Sequence, residues 1–294
     1  MGIEEVVICP VCESNSFTHK HTSKDYTATD ELFHVKQCNG CGLLVTSPRP
    51  SLDTAHRYYQ SKHYISHTAT ASGLLDSIYL IIRQFTMRWK FSLIRPYLLG
   101  GILLDYGCGT GNFLQEALKH NCTVYGIEPS LIARQKISPV ISVTSSLEEL
   151  PPTHFNVITL WHVLEHVYPL RETLRKLKTL LTDRGTIIIA VPNWESNDAR
   201  VYQEHWAAYD VPRHLWHFSK QSMTALLKNE GLTIKKIIPM NLDAFYVSLL
   251  SKKNSNGGRL TPQGSISAVW TAFVSNLKGS REKNQSSLIY VVQK

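Results

Sequence analysis

The chain has 294 residues, 43% of them hydrophobic and 18% charged. That balance supports a buried core and excludes a disordered or fibrous chain. The length suits one large domain or two moderate ones. No apolar run reaches the roughly 18–20 residues of a membrane span. Glu4 and Glu5 precede the first apolar stretch, the reverse of a secretory signal, and Val6 stands where a myristoylation signal needs Ser or Thr. The expectation is a cytoplasmic protein with no transmembrane segment. The net charge of +8 is uneven: −2 over 1–60, +4 over 61–100, −1 over 101–200 and +7 over 201–294. Such a basic region either attracts phosphates and anionic surfaces or is simply solvated.

Residues 1–50 read as a small Cys-rich module. Cys9-Pro-Val-Cys12 and Cys38-Asn-Gly-Cys41 are two C-x2-C pairs separated by 25 residues. Each pair sets two thiolates on one turn, and two such turns close a tetrahedron around zinc. Four thiolates leave no open position, so the predicted zinc is structural, and it stabilises a unit too small for a strong core. The alternative is four reduced core cysteines. Leu32–Gln37 and Leu43-Leu44-Val45 read as short strands beside the second pair, and Pro48-Arg49-Pro50 ends the module.

Residues 51–100 read as a helical linker or cap. Leu74, Leu75, Ile78, Ile81, Ile82, Phe85 and Trp89 recur every three or four positions and form one apolar stripe, with Arg83, Arg88 and Lys90 mostly off it. The stripe fits packing on the next domain, a lid, or a membrane-surface helix.

Residues 101–294 alternate between strand and helix. Apolar runs at Ile102–Asp105, Val124–Ile127, Val140–Val143, Phe155–Leu160 and Gly185–Val191 are separated by helical segments, notably one up to about His120 and one over about Arg171–Leu181. Ser219 is a candidate N-cap for a helix ending before Gly231, and Leu232–Pro239 and Ser286–Val292 supply two late strands. This alternation implies an α/β fold with a mostly parallel sheet covered on both faces. Residues 252–284 are expected to hold a polar loop around Asn254–Gly258.

The strongest motif is Asp105-Tyr106-Gly107-Cys108-Gly109-Thr110-Gly111 between a strand and a helix. Its glycines let the backbone turn tightly and approach a ligand, and the following helix N-terminus offers free N–H groups. Glu128, about 20 residues on, can accept both hydroxyls of a ribose. A Gly-x-Gly-x-x-Gly/Ala dinucleotide loop would need Gly or Ala at 112 or 114, where Asn112 and Leu114 stand.

The Asp-x-Gly-x-Gly-x-Gly loop instead resembles motif I of class I S-adenosylmethionine-dependent methyltransferases. Phe155–Leu160, Leu164-Glu165-His166-Val167 and Leu177–Asn193 resemble that family's later segments, and Asn156 stands where the family usually has Asp. The resemblance implies a Rossmann-like seven-stranded sheet and S-adenosylmethionine as cofactor. It implies that the loop with Asp105, Gly107, Gly109 and Gly111 carries the methionyl part, that Glu128 holds the ribose, and that Ser146 and Leu147 lie beside the adenine. The Cys module resembles the zinc-binding region that precedes some methyltransferases of nucleotide-sugar and secondary-metabolite pathways.

His166 is a candidate base near the acceptor, since imidazole titrates near neutral pH, and the alternative is a hydrogen-bonded structural histidine. His214, within Arg213–Ser219, is a second candidate in a cluster that walls an acceptor pocket or packs in the core. His162-Val163-Leu164-Glu165-His166 also fits an H-x-x-E-H metalloprotease pattern, with both imidazoles on one helix face and no third ligand in view. The expected acceptor is a small molecule such as a sugar nucleotide or a quinone or lipid precursor. An RNA methyltransferase and a non-catalytic zinc-ribbon scaffold remain as alternatives. The Asp/Asn-Pro-Pro-aromatic signature of many nucleic-acid amino-methyltransferases is absent after the fourth strand, where Leu160-Trp161-His162 stands.

Overall fold

The computed structural model describes residues 2–59, 74–98 and 100–294, with the side chains of 74–83 outside that description. The N-terminal segment forms β1 (Ile3–Glu4), β2 (Phe17–Lys24), β3 (Leu32–Cys38), β4 (Leu44–Thr46) and β5 (Arg49–Pro50), followed by helices α1 (Leu52–Ala55) and α2 (Leu74–Leu98). Then come β6 (Ile102–Tyr106), α3 (Asn112–Leu118), β7 (Thr123–Ile127), α4 (Leu131–Arg134), β8 (Ser142–Thr144) and β9 (Phe155–Trp161). The chain continues through α5 (Leu170–Thr179), β10 (Leu181–Pro192), α6 (Asn197–Tyr202), β11 (Trp216–His217), α7 (Lys220–Asn229) and β12 (Thr233–Pro239). It ends with α8 (Asp243–Ser255), α9 (Pro262–Glu282) and β13 (Ser287–Gln293).

The expected α/β architecture is present as a seven-stranded sheet ordered β12-β13-β10-β9-β6-β7-β8. Strands β10, β9, β6, β7 and β8 run parallel, and β13 is antiparallel to β10 and β12. Neighbouring residues in a strand face opposite sides, and the two cores follow that alternation. Leu104, Ile158, Ile187 and Ile189 join one cluster with Leu174 of α5 and Leu226 of α7. Leu103, Val157, Ile188 and Ala190 join the other with Ile94 of α2 and Phe113 of α3. Ser219 caps α7 through a reciprocal bond pair with Ser222, and Gly231, at φ +63°, takes the left-handed position after it.

The Cys-rich segment is joined to this core. Its sheet is ordered β11-β4-β3-β2, so one strand comes from residues 216–217. Cys9, Val11, Cys38, Cys41, Leu43 and Val45 are buried in the same cluster as Leu104 and Trp216. Arg213, also buried, reaches Asp25 at 2.9 Å and Asp210 at 2.6 Å, and donates to the Tyr58 carbonyl at 2.9 Å. Removing one member of such a buried pair strands the others. Arg213→Met is therefore expected to cost about 3–5 kcal/mol, read as a lower urea midpoint.

One strand was not expected, and other local expectations are corrected. β2 has a largely polar sequence, Phe-Thr-His-Lys-His-Thr-Ser-Lys, so no apolar alternation announced it. Of the apolar stripe on α2, the side chains at 74–82 lie outside the described residues, and Trp89 packs half-buried against the core. Phe85 is exposed, and Phe91, Ile94 and Leu98 form the buried face instead. Lys90, read as off the stripe, is buried with its ammonium 4.6 Å from the Trp161 ring centroid. Within 252–284 the end of α8 and all of α9 replace most of the expected loop. Thr261 caps α9 and Pro262 occupies its first turn.

Candidate active site

Strand β6 delivers Asp105 and then the glycine turn to the C-terminal edge of the parallel strands, the edge where open α/β sheets bind ligands. Gly107, Gly109 and Gly111 have φ of +77°, +54° and +74°, a region that disfavours any side chain. A Cβ on Gly107 would lie 2.5 Å from a Val163 methyl, whereas one on Gly109 would meet nothing within 4 Å. The turn is thus packed against the segment after β9 at one end and open in the middle. The N–H groups of Gly107 and Cys108 both donate to the Ile127 carbonyl, which ties the turn to β7.

Glu128 follows β7 and bends back to the turn. Its Oε2 accepts from the Gly109 N–H at 2.9 Å and its Oε1 from the Ser130 N–H at 2.8 Å. Carboxylate and glycine turn are therefore adjacent, as their spacing predicted. Ser146 precedes a short 3₁₀ turn, Leu147–Glu149, after β8, and its carbonyl accepts the Thr144 hydroxyl at 2.9 Å. The Thr144 carbonyl accepts the Glu128 N–H at 3.0 Å, which places the Ser146–Leu147 segment beside the same edge.

Asp105 is buried and accepts the Thr159 hydroxyl at 2.6 Å. Burial pushes its carboxyl up to about 7, against the opposing pull of Thr159 and Lys90. The folded chain therefore holds a proton that the unfolded chain, with an ordinary value of 3.8, has lost. Stability falls as pH rises from about 4 to about 7 and then levels, a loss of about 4 kcal/mol over the window. Asp105→Asn should abolish that slope in denaturant titrations repeated across pH.

Asn156, the departure from the usual Asp, has a visible function. Its Oδ1 accepts the Ile102 N–H at 2.8 Å and fixes the entrance of β6. Only an acceptor is needed there, and an amide oxygen supplies it.

The segment after β9 brings the histidines together. It forms a 3₁₀ turn, Leu164–His166, and His162 has φ +58°, so His162 and His166 do not share a helix face as the H-x-x-E-H reading required. His166 Nδ1 lies 3.0 Å from the Arg213 carbonyl and 3.2 Å from the Tyr59 hydroxyl. His214 Nδ1 lies 2.8 Å from the Ala208 carbonyl. A carbonyl only accepts, so both rings carry hydrogen on Nδ1. The two rings meet edge to face at 4.5 Å, and donor atoms of both lie within 4.8 Å of a buried Glu165 oxygen. Burial disfavours ionised Glu165, but the hydrogen bond and charge of His162, 3.5 Å away, hold the carboxyl below its ordinary value. Burial drives His166 down to about 4, so its ring is neutral. His162 is opposed by burial, yet Asp243, 2.8 Å away, and Glu165 raise it to about 10.

Asp243, Lys90 and Tyr59 were missed in the sequence. They come from α8, α2 and the turn after α1, and nothing local marks Asp243 and Tyr59 as neighbours of His162 and His166, or Lys90 as the cation over Trp161.

At the N-terminus the four cysteines converge. The Cys9 and Cys41 sulfurs are 3.6 Å apart and those of Cys12 and Cys38 are 3.4 Å apart, with one sulfur from each residue inside a common 4.8 Å limit. A tetrahedral zinc with bonds of about 2.3 Å spaces its sulfurs by roughly 3.8 Å, whereas a disulfide holds them at about 2.0 Å. The donor set and its spacing fit zinc.

Comparison with known proteins agrees with this arrangement. A family model described as "Methyltransferase domain" matches residues 88–237. An uncharacterised methyltransferase of Geobacillus thermodenitrificans is 26% identical over 152 residues, covering 46% of this chain and 70% of that protein. A ubiquinone biosynthesis O-methyltransferase of Rhodopseudomonas palustris is 28% identical over 127 residues, covering 39% of this chain and 50% of that protein. Several other relatives are matched over only about half their length. Among solved structures, a putative sarcosine dimethylglycine methyltransferase from Galdieria sulphuraria aligns with a TM-score of 0.50 at 13% identity, covering 72% of this chain and 86% of that one. Geranyl diphosphate C-methyltransferase from Streptomyces coelicolor A3(2) also aligns at 0.50, with 12% identity, covering 78% and 87%. At such identities these two show a common fold. With its sheet order, its glycine turn and a family match spanning half its length, the chain belongs to the methyltransferase-domain family and is a class I S-adenosylmethionine-dependent methyltransferase.

Proposed function

We propose that the turn at 107–111 binds S-adenosylmethionine and that a small-molecule acceptor binds near His166 and His214. The single observation that carries the cofactor assignment is Glu128 bonded to the Gly109 N–H at the open middle of the turn. In this reading Asp105 and the three glycines shape the methionyl site, Glu128 takes the ribose hydroxyls, and Ser146 and Leu147 border the adenine. The cofactor supplies an activated methyl group when bound, so the chain's task is to position it and exclude water. His166, neutral and protonated on Nδ1, offers its Nε2 lone pair to an acceptor O–H or N–H in a general-base role, and His214 is the second candidate.

The same reading assigns zinc to Cys9, Cys12, Cys38 and Cys41, as a structural ion that ties the 1–50 module to the methyltransferase domain at 101–294. The segment 51–100 is the helical cap, and its central part lies outside the described residues. The acceptor class we favour is a sugar nucleotide or a quinone or lipid precursor, because the Cys module carries net negative charge and offers no footing for a phosphate backbone. No helix among the described residues is long and apolar enough to cross a membrane. The free cysteines suit a cytoplasmic setting.

Calorimetric titration with S-adenosylhomocysteine tests the core of this proposal. Stoichiometric binding is the expected result. Absence of heat together with tight binding of a nicotinamide dinucleotide would refute it.

A further inference from the structure

Helix α9 is turned inside out relative to an ordinary amphipathic helix. Its buried positions are small: Gly264, Ala268, Ala272, Ser275 and Gly279. They allow close packing against α8 and α6, and the Ser275 hydroxyl donates to Asp198 at 2.7 Å. Its large apolar residues point the other way. Ile266 is 72% exposed and Trp270 66%, with Phe273, Leu277 and Val269 exposed beside them. Positions 266, 270, 273 and 277 recur at spacings of four and three, which is one continuous stripe along the helix. Soluble surfaces rarely expose apolar groups contiguously without a partner.

The ends of this stripe are basic. Arg259 lies just before α9, Lys278 and Arg281 lie in its last turns, and Lys283 follows it, all exposed. The only carboxylate between 259 and 283 is Glu282. Charge decides between occupants. A second copy docked on the stripe by a two-fold axis runs antiparallel and sets Arg259 against Lys278, Arg281 and Lys283. A parallel pairing sets each cation against its own counterpart. Both arrangements oppose like charges, whereas an anionic lipid surface satisfies all four while the apolar stripe enters the headgroup boundary.

We infer that the exposed face of α9, carried by Ile266, Trp270, Phe273 and Leu277 with their flanking cations, seats the protein on the surface of an anionic membrane. The contact is peripheral, and it draws on the +7 charge carried by residues 201–294. It does not depend on the cofactor assignment.

The test is co-sedimentation of the full chain with vesicles of phosphatidylcholine alone and of phosphatidylcholine mixed with phosphatidylglycerol. Sedimentation is expected with the mixed vesicles only, and it should weaken as salt rises. Trp270→Ser combined with Phe273→Ser should weaken it by about tenfold or more. Lys278→Glu with Arg281→Glu, which leaves every apolar contact intact, should do the same. A thermal melt of each variant reports whether the fold has survived. Equal sedimentation with both vesicle types, none with either, or unchanged sedimentation of the charge-reversed variant would overturn the inference. So would light scattering that shows a dimer converted to monomer by the apolar substitutions, since that assigns the stripe to a second copy.

Discussion

Glu128→Ala is expected to lower affinity for S-adenosylhomocysteine by about 100-fold. Two charge-assisted bonds to ribose hydroxyls, at about 1.5 kcal/mol or more each, give at least about 3 kcal/mol, and each 1.4 kcal/mol is tenfold. The carboxylate also anchors the turn itself through the Gly109 and Ser130 N–H groups. The variant therefore binds a less ordered loop as well as losing a ligand contact. Glu128→Gln keeps an amide oxygen for one of these partners and should fall between wild type and alanine. Calorimetry gives the affinities, and a thermal melt of the unliganded variants separates the loop effect from the contact. If alanine at 128 left the affinity within about twofold, the ribose assignment would fail.

Cys38→Ser is expected to remove the bound metal and to destabilise more than the N-terminal module. An isolated module would unfold alone, since zinc binding and folding are one event in such units. Here Cys9, Cys38 and Cys41 lie in the cluster that contains Leu104, Leu215 and Trp216, and β4 pairs with β11. Loss of the site therefore loosens the strand that follows His214. Elemental analysis should show the zinc content fall from one per chain to none, and the melting transition should drop by about 10 °C or more, corresponding to several kcal/mol in a domain of this size. The effect should be lopsided. The glycine turn proposed to hold the cofactor hangs from β6 and β7 on the other sheet, so S-adenosylhomocysteine affinity should change by less than about tenfold. A variant that kept full stability after losing metal would show that the four sulfurs act only as buried apolar groups.

Both predictions turn on groups legible in the sequence, because their chemistry is encoded locally. Three glycines within five positions dictate a turn that no other residue adopts easily, and a carboxylate at the end of the next strand is carried back to it by parallel pairing. Two C-x2-C pairs announce their ligand set by spacing. Alternating apolar runs dictated the seven strands, since a parallel sheet buries both faces of each one. The strand at Phe17–Lys24 escaped notice because an outer strand of a small sheet is held by backbone pairing and carries polar side chains. The surroundings of His166 escaped for a different reason. Tyr59, the 208–214 stretch and Asp243 converge on residues 162–166 from three segments far apart in the chain.

The amino-acid order by itself determined the α/β class, the glycine turn, the carboxylate beside it and the cysteine quartet, because short-range sterics and residue spacing need no distant partner. Only the tertiary structure decided that the Cys module shares a sheet and a core with the catalytic domain, that Asp243 reaches His162 while Lys90 covers the Trp161 ring, and that α9 buries its small residues and shows its large ones to solvent. Those outcomes depend on which surfaces are left to pack once the central sheet has formed. A helix with Gly, Ala and Ser on one side and Ile, Trp, Phe and Leu on the other can bury either, and the close approach available beside α8 selects the small side.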